Sequence, residues 1–125
     1  IGMGGYNAND TIDYWTISIT GNAIDFGNLT AGKHQGSALS SQIRGIWTGG
    51  GGPLNVIEYI TISTTGNASD FGDLDEPRSY PNTCASSTRG IIAGGHTPSN
   101  VNSIEYITIA TMGDGTDFGD MTREG

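Results

Sequence analysis

Positive charge is nearly absent from this chain. One Lys and four Arg stand against 13 carboxylates, for a formal net charge of −8 over 125 residues. A surface of that sign repels a phosphate backbone, so nucleic acid is not expected as a partner. An anionic lipid surface is disfavoured for the same reason. No run approaches the 18 apolar residues of a spanning helix, so membrane insertion is not expected either. The single cysteine, Cys84, cannot form an intrachain disulfide and says nothing about redox compartment. The two histidines, His34 and His96, lie in separate polar stretches without the paired spacing of zinc ligands. No segment carries a capped apolar pattern of period 3.6, which excludes a helical fold. No initiator Met, basic n-region or apolar h-region opens the chain. Ile1 therefore reads as an internal or processed start. The length suits roughly one ordinary domain.

What the chain does contain, it contains three times. The stretch Ile12-Asp13-Tyr14-Trp15-Thr16-Ile17 leading to Asp25-Phe26-Gly27-Asn28-Leu29 returns as Ile57-Glu58-Tyr59-Ile60-Thr61-Ile62 leading to Asp70-Phe71-Gly72-Asp73-Leu74. It returns again as Ile104-Glu105-Tyr106-Ile107-Thr108-Ile109 leading to Asp117-Phe118-Gly119-Asp120-Met121. The first step is 45 residues and the second 47. A period of that size, built from short strands, is that of one propeller blade.

Residues 46–90 illustrate the unit. Ile46-Trp47-Thr48 is a short apolar run ended by Gly49-Gly50, matched by Gly4-Gly5 and Gly94-Gly95. Val56–Ile62 is β-branched and aromatic, without Pro or Gly, and reads as a strand. Thr64-Thr65-Gly66-Asn67 is turn chemistry. Ser69–Leu74 is a short final strand, which Asp75-Glu76-Pro77-Arg78 is expected to break. Asn82–Ala85 is a small-residue strand, as is Ser37–Ser40. Four strands joined by short turns must run antiparallel, because a parallel crossover needs a dozen or more residues. Ile57, Tyr59 and Thr61 share one strand face, while Ile60 and Ile62 lie on the other beside Glu58. Both faces are apolar, which suits a sheet packed between neighbours rather than one with a wet face.

The Gly-Gly ends, Tyr14, Tyr59 and Tyr106 in the third strand, and Phe26, Phe71 and Phe118 in the fourth resemble the kelch repeat, a four-stranded propeller blade. Arg78 fills the repeat's Arg slot, Arg123 the next one, and Lys33 or His34 the first. Leu74 and Met121 follow the aromatic. Phe replaces the usual fourth-strand Trp throughout. The wording is also similar to kelch-like repeats in tail or fibre proteins of marine bacteriophages and in bacterial surface proteins. The resemblance implies an all-β protein of four-stranded antiparallel propeller blades: repeat 1 at 1–45, starting at a second strand, repeat 2 at 46–90, and repeat 3 at 91–125, lacking its last strand. Closed propellers use about four to eight blades. Part of a larger ring is therefore expected, with other blades of the same or a longer chain as partners, or a homo-oligomer.

Candidate chemistry is thin. Asp-Phe-Gly, here found three times, holds magnesium in kinases only beside a catalytic loop and a Gly-rich loop. Asp70, Asp73 and Asp75 suggest a calcium loop, but Thr30 and Thr122 replace Asp75 in the other repeats, leaving too few oxygens. Cys84 aligns with Leu39 and reads as a small core residue. Asn9-Asp10-Thr11, Asn28-Leu29-Thr30 and Asn67-Ala68-Ser69 fit the glycosylation pattern, although turn chemistry explains Asn67 better. No catalytic residue, metal site or cofactor is expected. Function then falls to loops. The loops after the second and fourth strands should share one edge carrying Tyr6, Asn7, His34, Asn55, Arg78, Tyr80, His96 and Asn100. Aromatics mixed with amides suit a glycan or a cell-surface receptor. The expected role is a non-catalytic scaffold and binding module of an extracellular or virion appendage. A self-assembling structural unit of a fibre and a sugar-active propeller enzyme are the alternatives.

Overall fold

A computed structural model describes residues 1–123 of the chain. The described residues are all-β, with no helix, and their three main sheets are antiparallel. In chain order the strands are β1 (Gly2–Met3), β2 (Asn9–Tyr14), β3 (Ile24–Lys33), β4 (Ser37–Ser40), β5 (Arg44–Thr48), β6 (Leu54–Thr61), β7 (Ser69–Arg78), β8 (Asn82–Ala85) and β9 (Arg89–Ala93). A small hairpin of β10 (His96–Thr97) and β11 (Ser99–Asn100) precedes β12 (Ser103–Thr108) and β13 (Thr116–Asp120). The first sheet is β1-β2-β3, the second β4-β5-β6-β7 and the third β8-β9-β12-β13. Each small-residue strand therefore joins the Gly-Gly strand that follows it. Among the described residues the sheets close no barrel or ring.

The Gly-Gly pairs end their strands by left-handed backbone. Gly49 and Gly50 have φ of 68° and 143°, and Gly94 and Gly95 have 65° and 104°. Gly4 matches at 65°. A side chain at the first position of each pair would be strained, which accounts for glycine there.

The hydrophobic core is divided between two seams, each lying between consecutive sheets. Ile12, Phe26 and Leu29 of the first sheet pack on Trp47, Ile60 and Ala68 of the second. Leu39, Ile46, Ile57, Phe71 and Leu74 of the second pack on Ile92, Ile107 and Ile109 of the third. The middle sheet is thus apolar on both faces, with Ile57 toward one neighbour and Ile60 toward the other, as the strand pattern predicts. Ile12, Ile46, Ile57 and Ile92 have no exposed surface. Each such side chain contributes about 1.5–3 kcal/mol by leaving water. In every repeat the tyrosine of the third strand meets the phenylalanine of the fourth edge to face, at centroid separations of 6.0 to 6.3 Å.

Two expectations fail here. Asp75-Glu76-Pro77-Arg78 does not break the fourth strand, since β7 runs through to Arg78. The ladder to β6 instead bulges: Val56 faces Asp73 and Leu54 faces Arg78, so a two-residue step opposes a five-residue one. Pro77 lies within that bulge on a sheet edge, where a missing N–H breaks no ladder bond. The same bulge recurs in the first sheet, where Thr11 faces Asn28 and Asn9 faces Lys33. Cys84 is exposed rather than in the core. Its counterpart Leu39 is covered by the sheet that follows, against Gly90, and no further sheet covers Cys84 among the described residues.

Candidate functional site

Four buried charged residues are spent at the seams. Each bulge leaves backbone N–H groups free of the ladder, and a carboxylate from the next sheet fills it. Glu58, on β6, accepts from the Thr30 N–H at 2.8 Å and contacts the Lys33 ammonium. Glu105, on β12, accepts from the Asp75 N–H at 2.6 Å and the Glu76 N–H at 3.5 Å. It also pairs with the Arg78 guanidinium at 2.6 Å. Arg78 is fully buried, and Lys33, Glu58 and Glu105 nearly so. Arg78 further donates to the Gly94 carbonyl, the Ser103 carbonyl and the Ser103 hydroxyl, at 2.9, 3.1 and 2.9 Å. Buried charges persist only when paired, and each of these is in an ion pair, although Arg78 Nε meets no acceptor.

A second contact accompanies each ion pair. The turn between the third and fourth strands of one repeat lies along the fourth strand of the repeat before it. Gly66 and Ala68 donate to the carbonyls of Phe26 and Asn28, and the Asn67 side chain accepts from the Asn28 N–H. Gly113 and Gly115 donate to Phe71 and Asp73, and Asp114 accepts from the Asp73 N–H. A Cβ on Gly27 or Gly72 would collide with the carbonyl oxygen of Gly66 or Gly113. In the first two repeats Asp-Phe-Gly is therefore a docking strip for the next turn: its Phe fills the seam and its Gly lets the carbonyl approach.

Three of the loops meet at one edge. Gly51 donates to the His34 carbonyl at 2.7 Å, Tyr80 to the Gln35 carbonyl at 2.7 Å, and Ser79 and His96 exchange backbone bonds. This brings the loops of His34, Tyr80 and His96 together at the second and third sheets. His96 Nδ1 lies 3.4 Å from Asn100 Oδ1. Tyr6, Asn7, Asn55, Tyr80, His96 and Asn100 are exposed and His34 is half-buried. Arg78 is withdrawn from this surface, because its guanidinium is consumed by Glu105 and Ser103. Of the two basic candidates in the first repeat, Lys33 takes the Arg78 role, while His34 stays in the loop. Arg123 is exposed and stands five residues after Phe118, whereas Arg78 stands seven after Phe71, so the two are out of register. Among the described residues, four that are not glycine have left-handed backbone, namely Asn7, Ala8, Gln35 and Tyr80, with φ of 54° to 66°. All four lie in loops at this edge. For an aromatic such as Tyr80 that conformation is a true outlier.

The opposite edge carries a feature that the sequence reading missed. The turn of each repeat shapes a shallow cleft, with the same positions lining it each time. In repeat 2 it measures about 330 Å³ and is lined by Thr61, Thr64, Thr65, Asn67 and Ser69 around Tyr59. Smaller counterparts of about 160 and 230 Å³ occur at Trp15 and Tyr106. The recurrence of Thr at the turns was a legible signal for it.

The described residues hold no group of three or more His, Cys, Asp or Glu side chains placed to share a metal ion. No protein-family model matches the chain, and no curated protein matches it.

Proposed function

We propose that the chain is a run of kelch-like propeller blades, a non-catalytic scaffold of an extracellular or virion appendage that presents its strained loop edge to a glycan. One observation carries the binding part of this reading: Tyr80, 62% exposed, is held in a left-handed backbone conformation at the point where three loops join. Backbone strain of this kind costs about 1–3 kcal/mol and clusters at binding sites. An exposed aromatic in a loop joined to those of His34 and His96 suits stacking on a sugar ring with polar contacts to its hydroxyls. The scaffold part is supported by the buried ion pairs. The most buried acids and bases are engaged in joining sheets.

The reading is tested by glycan-array binding of the chain and three variants. Tyr80→Ala and Tyr6→Ala should each weaken binding about tenfold or more, equivalent to 1.4 kcal/mol per decade. Asp70→Asn, away from the loop edge, should leave it unchanged. Binding indifferent to both tyrosines moves the ligand elsewhere, and turnover of a bound glycan refutes a non-catalytic role.

A further inference from the structure

The two seams use one set of contacts, and each half of that set stands unused at an end of the molecule. On the last sheet, Phe118 is 56% exposed where Phe26 and Phe71 are 5% and 3%. A Cβ on Gly119 would meet nothing within 4 Å, whereas Gly27 and Gly72 are pressed by a turn carbonyl. On the first sheet, Trp15 is 48% exposed where the aligned Ile60 and Ile107 are 3% and 2%. In the turn that follows, Ala23 is exposed where the aligned Ala68 is buried. One end is a docking strip without a turn. The other is a turn and an apolar face without a strip.

We propose that these faces bind each other between two copies of the chain, head to tail, in the register of the internal seams. Gly21 and Ala23 of one copy would donate to the Phe118 and Asp120 carbonyls of the other, and Asn22 would accept from the Asp120 N–H. Phe118 would lie against Trp15. The occupant is specified by continuity with the seams: the same contact is made twice within the chain, and the residues that make it recur at both ends. The ion-pair half of the seam is not reproduced, because Gly125 follows Phe118 by seven residues where Lys33 and Arg78 follow Phe26 and Phe71. Association therefore rests on apolar contact and turn hydrogen bonds. It is also opposed by the charge of −8 on each copy. This inference does not depend on glycan binding and can stand if that reading fails.

Sedimentation velocity of the chain in 1 M salt, where screening confines charge repulsion to about 3 Å, provides the test. The wild-type chain should associate as concentration rises. Trp15→Asp and Phe118→Asp should each be monomeric. An equimolar mixture of the two should form a dimer and nothing larger, because each variant keeps one intact face. Should either variant fail to fold, Ala23→Trp and Asp120→Trp, both at exposed positions, block the same two faces. A wild-type chain that stays monomeric, or a mixture that behaves as its separate components, overturns the proposal. So does association that survives both substitutions.

Discussion

The two seams are built alike and secured differently. Between the first and second sheets, Lys33 meets Glu58 and donates to the Thr30 hydroxyl and the Ala31 carbonyl, each at 3.2 Å. Both of those acceptors lie on its own strand. Between the second and third, the Arg78 fork reaches across to Gly94, Ser103 and Glu105, so all its hydrogen-bond acceptors belong to the next sheet or its loops, and only the more distant Glu76 carboxylate, at 3.7 Å, lies on its own strand. A lysine supplies a point charge, whereas a guanidinium supplies charge and a fixed set of directions. The second seam should therefore be the more specific and the more costly to disrupt. Arg44 adds to it, with its guanidinium 4.7 Å from the Tyr59 ring centroid and a 2.8 Å bond to the Ile109 carbonyl.

The largest expected effect separates the two cations. Arg78→Ala should cost about 5 kcal/mol, the upper end for stranding a buried charge, and Lys33→Ala about 3 kcal/mol. Urea denaturation midpoints read the difference. Equal losses would show that charge alone matters and that the directional bonds of the fork add nothing.

Next comes a contrast between identical residues. Phe71→Ala should cost about 3–4 kcal/mol, while Phe118→Ala should change stability by less than about 0.5 kcal/mol in the monomer. Similar losses at both sites would mean that Phe118 is covered in solution.

The smallest effect concerns the docking strip. Gly72→Ala should cost about 1–3 kcal/mol more than Gly119→Ala, through overpacking against the Gly113 carbonyl. The two glycines have φ of 156° and 146°, so conformational cost nearly cancels in the comparison. Thermal melts of the pair measure the collision by itself.

How much of this could be read in advance varied with the range of the interaction. The strands of the middle repeat, its Gly-Gly ends and its two apolar faces depend on neighbours a few residues away, and all were legible. The course of β7 was not. Asp75-Glu76-Pro77-Arg78 resembles a strand terminator until Glu105, about thirty residues later, accepts the N–H groups that the bulge frees. Arg78 was misplaced on the surface for the same reason, since its partner is a lone acid within an apolar strand. That acid was the available clue: Asp13, Glu58 and Glu105 interrupt otherwise apolar runs at the same position. Antiparallel order puts alternate turns at one end, where the loops of His34, Tyr80 and His96 meet, but the left-handed backbone of Tyr80 was not legible.

By itself the sequence determined the unit: a strand-turn period of about 45 residues, the alternation of apolar faces and the glycines that turn the chain. It could not determine which copies of that unit are covered. Phe71 and Phe118 sit in the same words, Asp-Phe-Gly-Asp, yet one is buried and the other exposed. Burial is a property of the neighbouring sheet rather than of the local code, and only the tertiary structure decides where a neighbour stands.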